Sequence, residues 1–344
     1  MMEVPTILLN RLLEEAAKKK ASSLHLIAGN VPTLRINNQL VGIEGENILD
    51  ADTLKMIINS FVTPEEAEKL ATDKEITLAK NFAGTFRFRI NVFYQKNLPS
   101  MTFCYVPETV SSIEQLKLPQ IFTDLTKIPS GLFILAGTHA SGKTTSAAAV
   151  IEEINNQQKK HIITIEDPIE YSFISKKSII EQRQIGSDTK SYITGLNYCL
   201  EEDVDLVYVG EIRKELQKCM SLILELATGN SLVIMEVNAN NTTRAIEKVL
   251  TAAEFEISDE AARYSLADSL VGVVVQRLLP RRGGGMVAGY EILLTNSAIK
   301  SLIREGKIYQ LESIIQTSRK EGMIMMEKSL EELVRNNDIR QEDI

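Results

Sequence analysis

Tryptophan is absent from this 344-residue chain, and histidine and cysteine occur only three times each. Three cysteines cannot supply a disulfide framework. Three histidines leave little room for a histidine-rich metal site. Long apolar runs are missing too: the stretch 270–275 falls far short of the ~20 residues a membrane span requires. The start, Met1-Met2-Glu3-Val4-Pro5, lacks the basic head and apolar centre of an export signal. A cytoplasmic protein with no transmembrane segment is therefore expected. Positive charge is in deficit, with 38 Lys and Arg against 46 Asp and Glu, a net −8. That balance argues against nucleic acid as the main partner. What is present is ordinary for a globular chain, 44% hydrophobic and 24% charged. The length predicts two or three domains, each able to bury a core.

The hydrophobic pattern changes along the chain. Leu9, Leu12, Leu13, Ala16 and Ala17 recur at helical spacing, with Arg11, Glu14, Glu15 and Lys18 opposite. Short apolar stretches at 24–27, 33–36 and 40–43 read as strands, with a turn at Asn37-Asn38. Helices are predicted over 51–61 and 64–71. Strict alternation over 85–93 sets Phe86, Phe88, Ile90 and Val92 on one face and Arg87, Arg89 and Asn91 on the other. A further strand, 101–106, closes at Pro107, and the polar stretch 108–112 reads as a linker. From Gly131 onward, short and nearly continuous apolar strands (132–136, 161–165, 206–209 and 231–237) alternate with helical segments. That is the signature of a parallel sheet covered on both faces. The last stretch, 298–344, reads as helical and amphipathic. No internal repeat and no low-complexity segment is found.

One motif carries chemistry outright. Gly137-Thr138-His139-Ala140-Ser141-Gly142-Lys143-Thr144 fits G-x-x-x-x-G-K-[ST]. It follows a predicted strand and opens an alanine-rich helix, the context this loop requires. Chance would place such a match in a chain of this length on the order of one time in a hundred. The glycines let backbone N–H groups point at phosphate oxygens, and the helix N-terminus adds partial positive charge. Lys143 can reach the β- and γ-phosphates, and Thr144 can offer its hydroxyl to Mg²⁺. His139 faces either the phosphates or solvent and contributes its backbone N–H. Thr145 completes the loop.

Two acidic groups follow strands downstream. The apolar run 206–209 leads to Gly210-Glu211, a carboxylate at a strand tip that can hold Mg²⁺. The second is Ile165-Glu166-Asp167-Pro168-Ile169-Glu170, where a carboxylate can orient and deprotonate the attacking water. Solvated turn residues are the simpler reading of any one acidic cluster. Two such clusters downstream of a phosphate loop favour function.

These residues resemble the type IV pilus retraction ATPases (the PilT family) of the wider secretion-ATPase superfamily. The loop 137–145 looks like that family's Walker A, and 164–170 (TIEDPIE) like its Asp box. Residues 209–213 (VGEIR) look like Walker B, and 298–305 (AIKSLIRE) like the AIRNLIRE motif of retraction ATPases. Ile315-Gln316-Thr317 and Gly322-Met323 continue the match. Upstream, 21–26 (ASSLHL), which holds His25, resembles ASDLHL, and 87–91 (RFRIN) resembles RFRVN. The resemblance implies an α/β chain made of a small PAS-like α+β N-terminal domain (1–106) and a linker leading into the core (107–128). A RecA-like ATPase core (129–297) and a C-terminal helical region (298–344) complete it. It further implies a homohexamer that binds ATP and Mg²⁺ between subunits and works at the inner face of the cytoplasmic membrane. Its partners there would be an inner-membrane pilus platform protein and, in some systems, a second pilus ATPase. Glu170 would be the general base and Glu211, with Thr144, the Mg²⁺ group. Arg87 and Arg89 would be candidates for arginines supplied from a neighbouring subunit. Cys104, Cys199 and Cys219 lack C-x-x-C spacing, so the four-cysteine zinc motif of the assembly ATPases cannot form. They read instead as small buried hydrophobes.

The departures from the family are as informative. The His box, in a segment resembling TGHLVFGTLHT, has Ser231 and Asn238 where its histidines belong. Neither side chain carries positive charge, although Asn238 can donate a hydrogen bond to a phosphate oxygen. Asn97 and Cys104 stand where the family has arginines. An arginine finger is worth ~10³-fold or more in other phosphate-loop enzymes, so a slow ATPase is expected. Three readings stay open: a retraction motor, an accessory PilU-like ATPase that needs a partner motor, and a non-hydrolysing nucleotide-binding ring subunit. A nucleic-acid translocase is disfavoured by the acidic charge and by the 298–305 motif.

Overall fold

The computed structural model describes residues 5–19, 21–36, 39–82, 86–106 and 109–344. The expected Asn37-Asn38 turn, Thr85, Pro107 and Glu108 lie outside the described residues, as do the first four. The chain divides into two compact units, Met1–Thr109 and Val110–Ile344.

The first unit runs α1 (Pro5–Lys18), β1 (Ser23–Ile27), β2 (Thr33–Ile36), β3 (Gln39–Gly42), α2 (Ala51–Asn59), α3 (Pro64–Asp73), β4 (Glu75–Phe82), β5 (Phe86–Gln95) and β6 (Leu98–Val106). Among the described residues its strands form one antiparallel sheet in the order β3-β2-β1-β6-β5-β4. Leu9, Leu12, Leu13 and Ala16 of α1 are buried, as their spacing predicts. Asp50 caps α2 by accepting from Thr53 N at 2.7 Å. Thr63 and Glu66 form a capping box at α3, with Pro64 in the first turn. Each cap contributes about 1 kcal/mol. On β5 the alternation holds: Phe88, Ile90 and Val92 are buried, while Arg87, Arg89 and Asn91 are half-buried on the other face. Phe61, Phe82, Phe88 and Phe103 meet edge to face, with centroids 5.9–6.3 Å apart.

The second unit begins with α4 (Gln120–Leu125), β7 (Gly131–Ala136), α5 (Lys143–Gln157), β8 (His161–Glu166), β9 (Ile179–Gln184), α6 (Tyr192–Glu201) and β10 (Leu206–Val209). It continues through α7 (Met220–Thr228), β11 (Leu232–Val237), α8 (Thr242–Ala253), α9 (Asp259–Ser269), β12 (Leu270–Pro280) and β13 (Met286–Leu294). It ends in α10 (Ser297–Arg304), α11 (Leu311–Thr317) and α12 (Met326–Arg335). The sheet order is β13-β12-β7-β11-β10-β8-β9. All pairings from β12 to β9 are parallel, and β13 closes the edge antiparallel to β12.

Alternation assigns the two sheet faces. Ile134, Ile165, Val209 and Met235 share a core with the helices α6 to α9. Phe133, Ile162, Tyr208 and Ile234 share another with α4 and α5. Ile299, Ile303, Leu311 and Ile315 belong to the first of these cores, so the C-terminal helices pack onto this unit. The α/β fold class is the expected one. Strands β4, β9, β12 and β13 lie outside the strands the sequence predicts. β9 is the clearest case: IIEQRQ is too polar to read as a buried strand, and it lies at the sheet edge, where charge guards against mispairing. Among the described residues no helix is long and apolar enough to cross a membrane.

Candidate nucleotide site

The site forms where parallel strands end and the next helices begin. β7 delivers Gly137, and α5 starts at Lys143. Between them the loop takes positive φ at Gly137 (151°), Ala140 (59°) and Gly142 (89°). Glycine is required at two of these places. A Cβ on Gly137 would collide with Ser141 Oγ and lie 2.5 Å from the Gln276 carbonyl. One on Gly142 would lie 2.6 Å from Gln276 Nε2. Gln276 thus brackets the loop from β12, and its Oε1 accepts from Ser146 Oγ at 2.8 Å. Thr138, His139 and Ala140 are exposed at the loop tip, and Thr144 and Thr145 are half-buried.

Lys143 is buried to 5% exposure, yet its ammonium is fully engaged. Nζ donates to Gly137 O at 3.0 Å and Thr138 O at 3.1 Å, and lies 3.2 Å from Glu211 Oε2. Glu211 stands two residues beyond β10 and also accepts from Asn238 Nδ2 at 3.4 Å. Burial pushes the Glu211 carboxyl up. The Lys143 charge, hydrogen bonds from Lys143 and Asn238, and the Arg213 charge outweigh that and leave it below the usual carboxylate range. Ser141 Oγ is buried with no hydrogen-bond partner inside the loop. An orphaned hydroxyl, a buried ammonium and a helix N-terminus suit a bound polyphosphate. The Thr144 hydroxyl and the Glu211 carboxylate are hard oxygen donors of the kind Mg²⁺ takes.

The acidic segment 166–170 follows β8. Glu166 is buried under α5, accepts from Thr164 Oγ1 at 2.7 Å, and is pushed up to about 7, chiefly by burial. The segment beyond it has no regular structure and hangs on two glutamines of β9. Gln184 Oε1 accepts from Ile169 N at 3.1 Å. Gln182 donates to Tyr171 O at 2.8 Å and accepts from Phe173 N at 2.7 Å. Tyr171 in turn lies 3.0 Å from Thr145 Oγ1, which ties this segment to the loop helix. Glu170, half-buried, is near enough for its charge to raise both Glu166 and Glu236. Beside the loop lies a cavity of about 620 Å³, lined by Gly142, Thr145, Ser146, Gln276, Leu118 and Tyr290 among others.

The structure therefore brings together residues 137–145, Glu170 and Glu211. Arg87 and Arg89 lie on β5 of the first unit, where Arg87 donates to Asn81 Oδ1 at 3.1 Å. The two His-box positions part company. Asn238 follows the C-terminal end of β11, beside Glu211. Ser231 precedes the other end of that strand and donates to Val204 O at 2.7 Å. In a parallel sheet these are opposite ends, so a histidine at 231 would not face this loop. Cys199 and Cys219 are buried and Cys104 half-buried.

Sequence reasoning missed Gln276, Tyr208 and Glu236. The signal was available for two of them. Glu236 is the one polar group of an otherwise apolar strand and Gln276 directly follows the apolar run 270–275, and such residues are rarely buried without a task.

The comparisons with known proteins agree with this geometry. The profile described as type II/IV secretion system protein matches residues 3–341. A twitching motility protein of Neisseria gonorrhoeae is 34% identical over 326 residues, covering 94% of this chain and 86% of that protein. The type IV pilus retraction ATPase PilT of Pseudomonas aeruginosa is 32% identical over 336 residues, covering 97% and 96%. A crystal structure of the pilus retraction motor PilT with bound ADP superposes with a TM-score of 0.83 at 33% identity, over 100% of this chain and 96% of that one. A match along nearly the whole length, over both units and the phosphate loop, means that this chain belongs to the type II/IV secretion system protein family.

Proposed function

We propose that this chain is a retraction-type pilus motor, an ATPase that works as a homohexamer to drive pilus disassembly. The support is the convergence of Gly137 O, Thr138 O and Glu211 on the buried Lys143 ammonium, in a chain similar to PilT over nearly its full length. In this reading the loop N–H groups of 137–145 and Lys143 hold the phosphates of ATP. The 620 Å³ cavity takes the base and ribose. Glu170 accepts a proton from water as its oxygen attacks the γ-phosphorus. The bond from that phosphorus to the bridging oxygen breaks, leaving ADP and inorganic phosphate. Thr144 and Glu211 are the residues that would hold Mg²⁺, which neutralises phosphate charge when bound. Arg87 and Arg89 act on the site of a neighbouring subunit. The domain reading is a PAS-like unit over 1–106, a linker over 107–128, a RecA-like core over 129–297 and a helical region over 298–344. The motor sits at the inner face of the cytoplasmic membrane against a platform protein, alone or with a second pilus ATPase.

A second reading is favoured by Asn238. It donates to Glu211 where the family motif supplies a histidine, which suits an accessory, slowly hydrolysing ATPase. Steady-state hydrolysis by the wild-type chain beside Lys143→Ala and Glu170→Gln tests the motor reading. Three equally inert proteins that still bind ATP would instead mark a nucleotide-binding ring subunit. Asn238→His should raise turnover if the missing histidine limits the rate, whereas Ser231→His should not.

A further inference from the structure

Glu236 is a buried carboxyl that the chemistry above leaves idle. Its place follows from the sheet register. Tyr208 on β10 sits opposite Ile234 on β11, two residues before Glu236 and on the same face. Tyr208 and Ile234 belong to the core that α5 covers. Glu236 therefore lies at the C-terminal end of β11, on the α5 side, beneath the helical turn that carries Lys143 and Thr144. The Tyr208 hydroxyl donates to Glu236 Oε1 at 2.7 Å. The Thr144 side chain and the Lys143 charge both lie near enough to act on the same carboxyl. At 6% exposure, a carboxyl beside a phosphate loop carries a desolvation cost and, when ionised, repels phosphate. In the motif that residues 231–238 resemble, threonine occupies this place.

We propose that Glu236 is a positioning residue: clamped by Tyr208, its carboxyl accepts the Thr144 O–H and turns the Thr144 lone pairs toward the metal. The inference rests on the reading of Thr144 as an Mg²⁺ ligand. An alcohol that donates its proton backward presents its oxygen forward, and such outer contacts orient a ligand and raise its donor strength. Without an acceptor behind it, the hydroxyl is free to rotate and aim its proton at the cation.

The test is equilibrium binding of a fluorescent ADP analogue to the full chain, with and without Mg²⁺, read alongside the melting temperature. Wild-type protein should bind more tightly with Mg²⁺. Glu236→Met should lose about tenfold of that gain, while its metal-free affinity stays at least that of wild type because a carboxyl that repels phosphate is gone. Glu236→Gln should keep most of the gain, because its amide carbonyl still accepts from Thr144. If Glu236→Met does not fold, Tyr208→Phe supplies the reading, and should cut the gain by freeing the carboxyl. A full gain in Glu236→Met, or in Tyr208→Phe where it stands in, would overturn the inference. So would a loss in Glu236→Gln as large as in Glu236→Met. No Mg²⁺ gain in the wild-type chain would overturn the metal reading itself, and this inference with it.

Discussion

Lys143 Nζ lies 3.2 Å from Glu211 Oε2, so the ammonium of the phosphate loop is paired with the carboxylate proposed to hold Mg²⁺. The pair has two consequences of opposite sign. Glu211 holds Lys143 in place, yet it competes with phosphate for the same charge. Lys143→Ala should abolish tight ADP binding. Glu211→Gln should bind metal-free ADP at least as tightly as wild type, because the competing anion is gone. Its Mg²⁺-dependent hydrolysis should fall by about a hundredfold. Calorimetric titration without metal, beside a phosphate-release assay, separates the two effects. Weaker metal-free binding in Glu211→Gln would contradict the competition.

Burial fixes the direction of one pH effect. It holds the Glu166 carboxyl near 7 in the folded chain, against about 4.3 in an unfolded one. Between those values the folded chain keeps a proton that the unfolded chain has released. Stability is therefore fully present below the window and falls as pH rises through it. Glu236, also raised to about 7 by burial, adds in the same direction. Glu166→Gln removes one of these titrations. Its stability relative to wild type should improve from about pH 4 to about pH 7 and level off above that, as read by urea denaturation followed by circular dichroism. A difference that stays flat or worsens over that range would count against it.

The phosphate loop was legible because its geometry demands residue types. At 137 and 142 the positive φ and close neighbours favour glycine, and the lysine that follows is held by the loop's own carbonyls. The strands β7, β8, β10 and β11 were legible because both sheet faces are buried, which leaves an unbroken apolar run. β9 was not, since an edge strand needs no such run. The task of its glutamines also depends on a loop arriving from elsewhere in the chain. Glu236 and Gln276 stood in plain view within or directly after apolar runs, but their partners lie on β10 and α5, and only the register brings them together. Ser231 misled for the same reason. Two motif positions seven residues apart look like one site until the strand between them sends them to opposite ends.

The aromatic cluster of the first unit offers a stability test. Phe103 is fully buried and meets Phe61, Phe82 and Phe88 edge to face. Phe103→Ala removes all three contacts and leaves a cavity, at a cost of about 3–5 kcal/mol. Hydrogen exchange followed by mass spectrometry should show β4, β5 and β6 losing protection. Unchanged protection in those strands would mean that the core refills around the cavity.

Gln182 is the anchor of the segment that carries Glu170. Its amide donates to Tyr171 O and accepts from Phe173 N, bracketing Ser172, two residues after the proposed base. Residues 169–173 form no helix or strand of their own, so these bonds and the one from Ile169 N to Gln184 stand in for secondary structure. Gln182→Ala leaves the Tyr171 carbonyl and the Phe173 N–H without their partner and loosens the backbone on which Glu170 rides. Lys143 and Glu211 are untouched, so ATP should bind as before. The cost should fall on the chemical step, because displacing a base by ~1 Å can lower the rate by as much as a hundredfold. Steady-state kinetics should therefore show kcat down at least about tenfold with KM for ATP nearly unchanged. A rise in KM at constant kcat would place the glutamine in nucleotide binding and free the 169–173 segment from its dependence on β9.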